Sequence, residues 1–211
     1  MRDLDELLSR VAVARSEREL AGVLMDRLQA MFDAVAAGFY TLDGAGRAVD
    51  VHIRTELPER DLQAVLDEYE RSWRAIDPVL RAAIEQHAPA HNLSVMSRER
   101  WTSTEPYRVM RNWGVEHYLL APVYVGGKLA GTLQFSRLSR ASPFAAADVQ
   151  RAAAAAMHVS SRLSVLRFAE LALEGWRSTL TQRELEVAEL VVKGLSNEEI
   201  ARVLGLSVDA L

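Results

Sequence analysis

"HYLLAPVYVGGKLAGTLQFS", residues 117–136, decides the fold. Two β-prone runs flank Gly126-Gly127, and a two-glycine connection supplies the positive φ values that a tight hairpin turn requires. The reading spreads outward from there. Residues 37–43 ("AGFYTLD") and 48–54 ("AVDVHIR") are a second pair of short β-prone runs around "GAGR", a loop of hairpin length. Toward the N-terminus, residues 3–33 follow helical spacing, with Leu4, Leu7, Leu8 and Val11 in one amphipathic helix and Leu20, Leu24, Leu28 and Phe32 in another. Between the hairpins, "ERDLQAVLDEYERSW" after Pro58 is again helical, and Asp77-Pro78 sets an N-cap and a first-position proline at the start of a short helix. From Pro143 a long helix runs through "AAADVQRAAAAAMHVSSRLSVLRFAELAL". This order predicts an α+β fold: an antiparallel sheet flanked by helices, an α/β/α sandwich.

Composition bounds what such a chain does. Its 211 residues suit a main domain and a small one, and 49% hydrophobic with 26% charged residues is ordinary for a chain that buries a core. Cysteine is absent, which removes disulfides, thiol nucleophiles and thiolate metal sites and fits a cytoplasmic protein. No apolar run approaches the roughly 18 residues of a membrane span, and "MRDLDELLSR" opens with acids where a signal peptide is basic. The net charge of −4 gives no global attraction for nucleic acid, so DNA binding has to come from a local patch. The five histidines are scattered; His87 and His91 flank Pro89, which rules out a helical metal pair. There is no phosphate-binding glycine loop, no G-x-S-x-G and no paired carboxylates, and "GAGR" and "VGGK" are hairpin turns. The expectation is a protein without catalysis, metal or cofactor.

Composition turns polar around "LEGWRSTL", residues 173–180, which is read as a linker between residues 1–172 and 181–211. Beyond it, Thr181 with Glu184 and Ser196 with Glu199 form two capping boxes, each pairing a hydroxyl and a carboxylate with orphan amides at a helix start. The first helix is expected over 182–193, burying Leu185, Ala188 and Val192, with Gly194 in a left-handed C-terminal turn. The second is expected over 197–204 with Ile200, Ala201 and Leu204 inward. Gly205-Leu206-Ser207 then turns, and Ser207 caps the opening of a third helix.

The stretch "LTQRELEVAELVVKGLSNEEIARVLGLS" resembles the helix-turn-helix of LuxR-family bacterial transcription factors nearly position for position. The residues that carry the likeness are Thr181, Glu184, Gly194, Ser196, Asn197, Ile200, Ala201 and Ser207. The resemblance implies a regulator that places the helix beginning near Ser207 in the major groove and reads a two-fold site as a homodimer. From Ser178 to Leu211 there are three basic and six acidic residues, a net of −3. Phosphate contacts need Lys and Arg, so the chain is read as a shortened form of a longer regulator and is expected to bind DNA weakly by itself. The rival reading is a dimer partner that acts through protein interaction.

Residues 1–172 resemble the autoinducer-binding domain that precedes this helix-turn-helix in many LuxR-family proteins, and "WRAIDPVLRAA" resembles its Asp-Pro motif. Asp77 then matches the aspartate that accepts a hydrogen bond from the ligand amide; its other reading is simply the N-cap before Pro78. At the family's pocket Trp and Tyr positions stand Ala64 and Glu68, at its second Trp Asn92, at the glycine before the third strand Tyr118, and at the last-strand hydroxyl Leu133. A one-residue slip puts Tyr69 in place of the absent Tyr. Without an indole donor for the lactone carbonyl, the expectation is an orphan quorum-sensing-like receptor for a small molecule other than a standard acyl-homoserine lactone, or one with no ligand. The candidate ligand-binding set is Tyr40, Tyr69, Trp73, Asp77, Trp101, Tyr107, Trp113 and Tyr118, whose rings and polar handles suit a small amphipathic molecule and equally suit a core. Glu68 and Glu105 are either partners for a cationic ligand group or solvated. A GAF- or PAS-like sensor shares the helix-flanked sheet and is the alternative. Val149, Ala153, Ala156, Ser160, Leu163 and Leu166 or Arg167 form one stripe of the long helix, which serves either a dimer or the protein's own sheet.

Overall fold

The computed structural model describes residues 2–43, 47–57, 63, 66–177 and 179–207. Helices α1 (Arg2–Val13) and α2 (Glu17–Met31) lead into strands β1 (Ala36–Leu42) and β2 (Ala48–Thr55), and α3 (Pro78–Gln86) precedes the two-residue β3 (Ala90–His91). Strands β4 (Val115–Val125) and β5 (Lys128–Leu138) follow, then α4 (Ala146–Trp176), α5 (Gln182–Val192) and α6 (Asn197–Leu204). The five strands form one antiparallel sheet in the order β2-β1-β5-β4-β3, so the expected α+β architecture is observed. Gly126 and Gly127 have φ of +57° and +77°, the values that made their hairpin legible. Gly44 to Gly46 of the other hairpin lie outside the described residues.

Period-two alternation divides the sheet's two faces. Phe39, Leu119, Ala121, Val123, Leu133 and Phe135 point to one side and bury against Leu7, Leu20, Leu24 and Leu28 of α1 and α2 and Ala152, Val159 and Leu163 of α4. Tyr118 and Leu120 point to the other, where Val79, Leu80 and Ala83 of α3 and Trp101 make a second, smaller cluster. Leu133 therefore belongs to the helix-packed core and does not take the place of a ligand-facing hydroxyl. The stripe on α4 resolves the same way: Ala156, Leu163 and Leu166 cover the protein's own sheet, Ser160 accepts a hydrogen bond from the Tyr124 amide at 3.0 Å, and Arg167 pairs with Glu17 at 2.8 Å. The helix leaves Met157, Val165, Phe168 and Leu171 exposed instead.

α4 continues to Trp176, so the first half of the expected 173–180 linker is helical. Good helix formers such as Leu171, Ala172, Leu173 and Glu174 outweigh the single Gly175. Both capping boxes form as read: Glu184 Oε2 accepts from the Thr181 amide at 2.8 Å and Glu199 Oε2 from the Ser196 amide at 2.8 Å. α5 ends one residue earlier than expected, Gly194 turns at φ +75°, and α6 spans the expected residues. Ile200 and Ala201 are buried, while Leu185, Ala188, Val192 and Leu204 are half-buried. Arg183 donates to the Leu204 carbonyl at 3.1 Å and ties the two helices together. Asn197 and Ser207 are exposed, and the third helix that Ser207 was read to open lies outside the described residues.

Candidate functional site

On the face of the sheet opposite α1, α2 and α4 lies a cavity of about 130 Å³. Strand β1 lines it with Gly38 and Tyr40, β2 with Ile53 and Thr55, β4 with Val115 and Tyr118, and β5 with Gln134 and Ser136. Two short helical segments flank it: Leu66, Tyr69 and Trp73 on one side, Pro106, Met110 and Trp113 on the other. None of these described lining residues is charged.

Local backbone geometry sets the rings. Residues Tyr69–Trp73 wind as a single π turn, with the Arg74 amide bonding back to the Tyr69 carbonyl, before a 3₁₀ turn at Arg74–Ile76. Tyr69 and Trp73, four residues apart on this turn, both line the cavity, and such turns recur at functional sites. Trp113 ends a 3₁₀ turn that Gly114 stops at φ +72°. Gly38 keeps the floor low, because a Cβ there would lie 3.0 Å from the Tyr40 ring.

Tyr118 is held from behind. β3 pairs only Ala90 and His91 with β4, and the side chain of Asn92 then continues the ladder: its Nδ2 donates to the Glu116 carbonyl at 3.0 Å and its Oδ1 accepts from the Tyr118 amide at 3.1 Å. Trp101 Nε1 donates to the same carbonyl at 2.9 Å. Asn92 is thus a backbone bracket and does not stand where a pocket indole would. Asn92→Ala is expected to cost about 2 kcal/mol, since it orphans a buried amide, measurable as a lower urea midpoint at unchanged slope.

The polar end of the cavity is built from tyrosines and one carboxylate. Asp77, 1% exposed, caps α3 through Oδ1, which accepts from the Val79 and Leu80 amides at 2.8 and 3.2 Å, while Oδ2 accepts from the Tyr69 hydroxyl at 2.9 Å. Burial pushes its pKa up, against the pull of those three donors. Tyr118 Oη is buried beside the Tyr69 hydroxyl, the polar group it faces, and no donor among the described residues completes its hydrogen bonding. Burial, and then the nearby Tyr69, Asp77 and Tyr40, drive its pKa well above the usual phenolic value.

Of the eight aromatic and acidic candidates, Tyr40, Tyr69, Trp73, Trp113 and Tyr118 converge on the cavity, and Asp77 reaches it through Tyr69. Trp101 and Tyr107 do not: they meet edge-on at 6.1 Å in the α3-side cluster, with Trp101 fully buried. Glu105 pairs with Arg108 and Glu68 with Arg71, and neither glutamate lines the cavity. Ala64 lies outside the described residues. The sequence reading does not single out Gly38, Gln134 and Ser136, although period-two alternation puts them on the face opposite Phe39 and Phe135. Among the described residues no three His, Asp or Glu side chains cluster to hold a metal ion, and no described helix is long and apolar enough to cross a membrane.

Beside this site, at the β3–β4 edge, His91 and His117 each keep a buried Nδ1 without a partner among the described residues. Burial holds both imidazoles below their ordinary pKa. A depressed folded value means that the unfolded chain takes up the proton first, so the neutral rings contribute stability above about pH 6.5 and this contribution is lost as the pH falls below it. Melting temperature is expected to drop between pH 7.5 and 5, and the paired substitutions His91→Gln and His117→Gln are expected to flatten that slope.

Residues 16–163 match the GAF domain family, and residues 178–209 match the bacterial regulatory proteins of the luxR family. No curated protein matches the sequence. Among solved structures, the chain is similar to the GAF domain of a phosphoenolpyruvate-protein phosphotransferase from Coxiella burnetii at 15% identity and a TM-score of 0.58, covering 81% of this chain and 95% of that one. It is also similar to the N-acylhomoserine lactone dependent LuxR family transcription factor CepR2 from Burkholderia cenocepacia, at 16% identity and a TM-score of 0.50, covering 76% and 91%. At such identities the likeness establishes the fold, and the two sensor readings of the sequence share that fold. The GAF match spans most of the chain, so the chain belongs to the GAF domain family, and behind that domain residues 178–209 carry the match to the luxR family of bacterial regulatory proteins.

Proposed function

We propose that this regulator binds a small molecule in the cavity beside Tyr118, and that the bound molecule shifts the population of a homodimer competent to hold DNA. The observation that carries the reading is an aromatic-lined cavity beside a tyrosine hydroxyl that no described donor reaches, in the same chain as a LuxR-type helix-turn-helix. A standard acyl-homoserine lactone is a poor fit. At about 130 Å³ the cavity is well below the roughly 300 Å³ at which drug-sized ligands are held, and Asp77, the residue matched to the amide acceptor, already has both oxygens engaged. The protein acts in the cytoplasm, where its DNA is, and carries no catalytic role.

A second copy is the natural occupant of the exposed α4 face, because a two-fold operator needs two recognition helices. Met157, Val165, Phe168 and Leu171 recur at helical spacing on that face, and Phe168 is 74% exposed. Phe168→Glu is expected to turn a dimer into a monomer in sedimentation equilibrium without lowering the melting temperature; an unchanged mass removes this face as the interface. Native mass spectrometry of the chain produced in its own host and in a foreign one tests the sensor role. A co-purified small molecule confined to the native host is the expected result, and an empty protein from both hosts contradicts it.

A further inference from the structure

We propose that the cavity takes a neutral, single-ring aromatic molecule with one hydrogen-bonding substituent, of the phenol or aromatic-alcohol class; this rests on the reading of the cavity as the sensor site. Size sets the first limit. A cavity of about 130 Å³ is close to the roughly 150 Å³ apolar cavity that accommodates benzene in an engineered protein. One ring fits, and a ring with a long acyl chain or a nucleotide does not.

The walls set the second. Trp73 and Trp113 face the space together with Tyr40, Tyr69 and Tyr118, and aromatic rings favour a flat guest in offset or edge-on contact. Charge sets the third. An anion would leave water with no counter-charge among the described lining residues, and Asp77 behind Tyr69 would oppose it. A cation would find ring faces, but the Asp77 carboxylate is already matched by two amides and a hydroxyl and sits at the positive end of α3, so little attraction is left over. Tyr118 Oη sets the last: its proton faces Tyr69, but no described donor reaches its oxygen, so a plain hydrocarbon ring leaves that acceptor unmatched whereas a ligand O–H pairs it.

Calorimetric titration of the 211-residue chain with phenol, benzyl alcohol, toluene, benzoate and tetramethylammonium tests this. Phenol and benzyl alcohol are expected to saturate one site and to change the fluorescence of the two cavity tryptophans. Tyr118→Phe keeps the ring and removes the hydroxyl, and should weaken phenol roughly ten-fold while leaving toluene nearly unchanged. Tighter binding of benzoate or tetramethylammonium than of phenol, no saturable aromatic binding, or an unchanged phenol affinity in Tyr118→Phe overturns the ligand class. A charged probe that binds and shifts the dimerisation constant would leave the sensor reading standing without this ligand class. Phenol that binds as stated but leaves dimerisation unmoved would leave the class standing without the sensor reading.

Discussion

Asp148→Ala is expected to lower stability by about 3–5 kcal/mol, read from urea denaturation. Arg137 on β5 and Asp148 on α4 are 7% and 4% exposed and meet through two contacts of 3.3 Å. The guanidinium also donates to the Phe32 carbonyl at the end of α2, at 2.9 and 2.6 Å, and to the Ser142 and Pro143 carbonyls, and it lies 4.2 Å from the centre of the Phe144 ring. One cation therefore fastens α2, β5 and the loop before α4. Without the carboxylate it would be buried and unpaired, which is the costly way to break such a pair. Burial presses the Asp148 pKa upward, yet the Ala145 amide and then Arg137 and Arg151 outweigh it, so the net direction is down. A depressed carboxylate contributes stability above its unfolded value and loses it as pH falls through the folded one, so the deficit of Asp148→Ala should narrow in strong acid. A deficit below 1 kcal/mol at neutral pH would show that the clasp is not needed.

Trp101→Ala should cost about 3–5 kcal/mol and Trp101→Phe distinctly less. The indole is fully buried, fills the α3-side cluster and supplies one of the two donors to the Glu116 carbonyl. The alanine leaves a void beneath the strand that carries Tyr118; the phenylalanine fills most of it and forfeits only a bond that Asn92 Nδ2 already duplicates. Equal losses for the two variants would mean that the indole N–H, and not its volume, matters.

Trp101 also shows where the sequence stops being readable. Its spacing and type are those of Trp73 and Trp113, yet it is packing while they line a cavity, and the difference lies in a partner fifteen residues away that no local pattern announces. Asp77 is the opposite case: cap chemistry alone placed it at the start of α3, and the structure adds only the Tyr69 bond. The capping boxes at Thr181 and Ser196 were legible for the same local reason. The sequence leaves the α4 stripe open between a dimer and the protein's own sheet, because small and apolar residues suit both equally well, and only tertiary contacts choose the sheet. The π turn at Tyr69–Trp73 has no sequence signal against the helical spacing on which it rides.

The four tryptophans report directly on the central claim. In a two-dimensional ¹⁵N–¹H spectrum titrated with phenol, the indole signals of Trp73 and Trp113 should shift together and saturate while those of Trp101 and Trp176 stay in place. Shifts confined to Trp101 or Trp176, or no saturable shift at all, would contradict the assignment of this cavity as the ligand site.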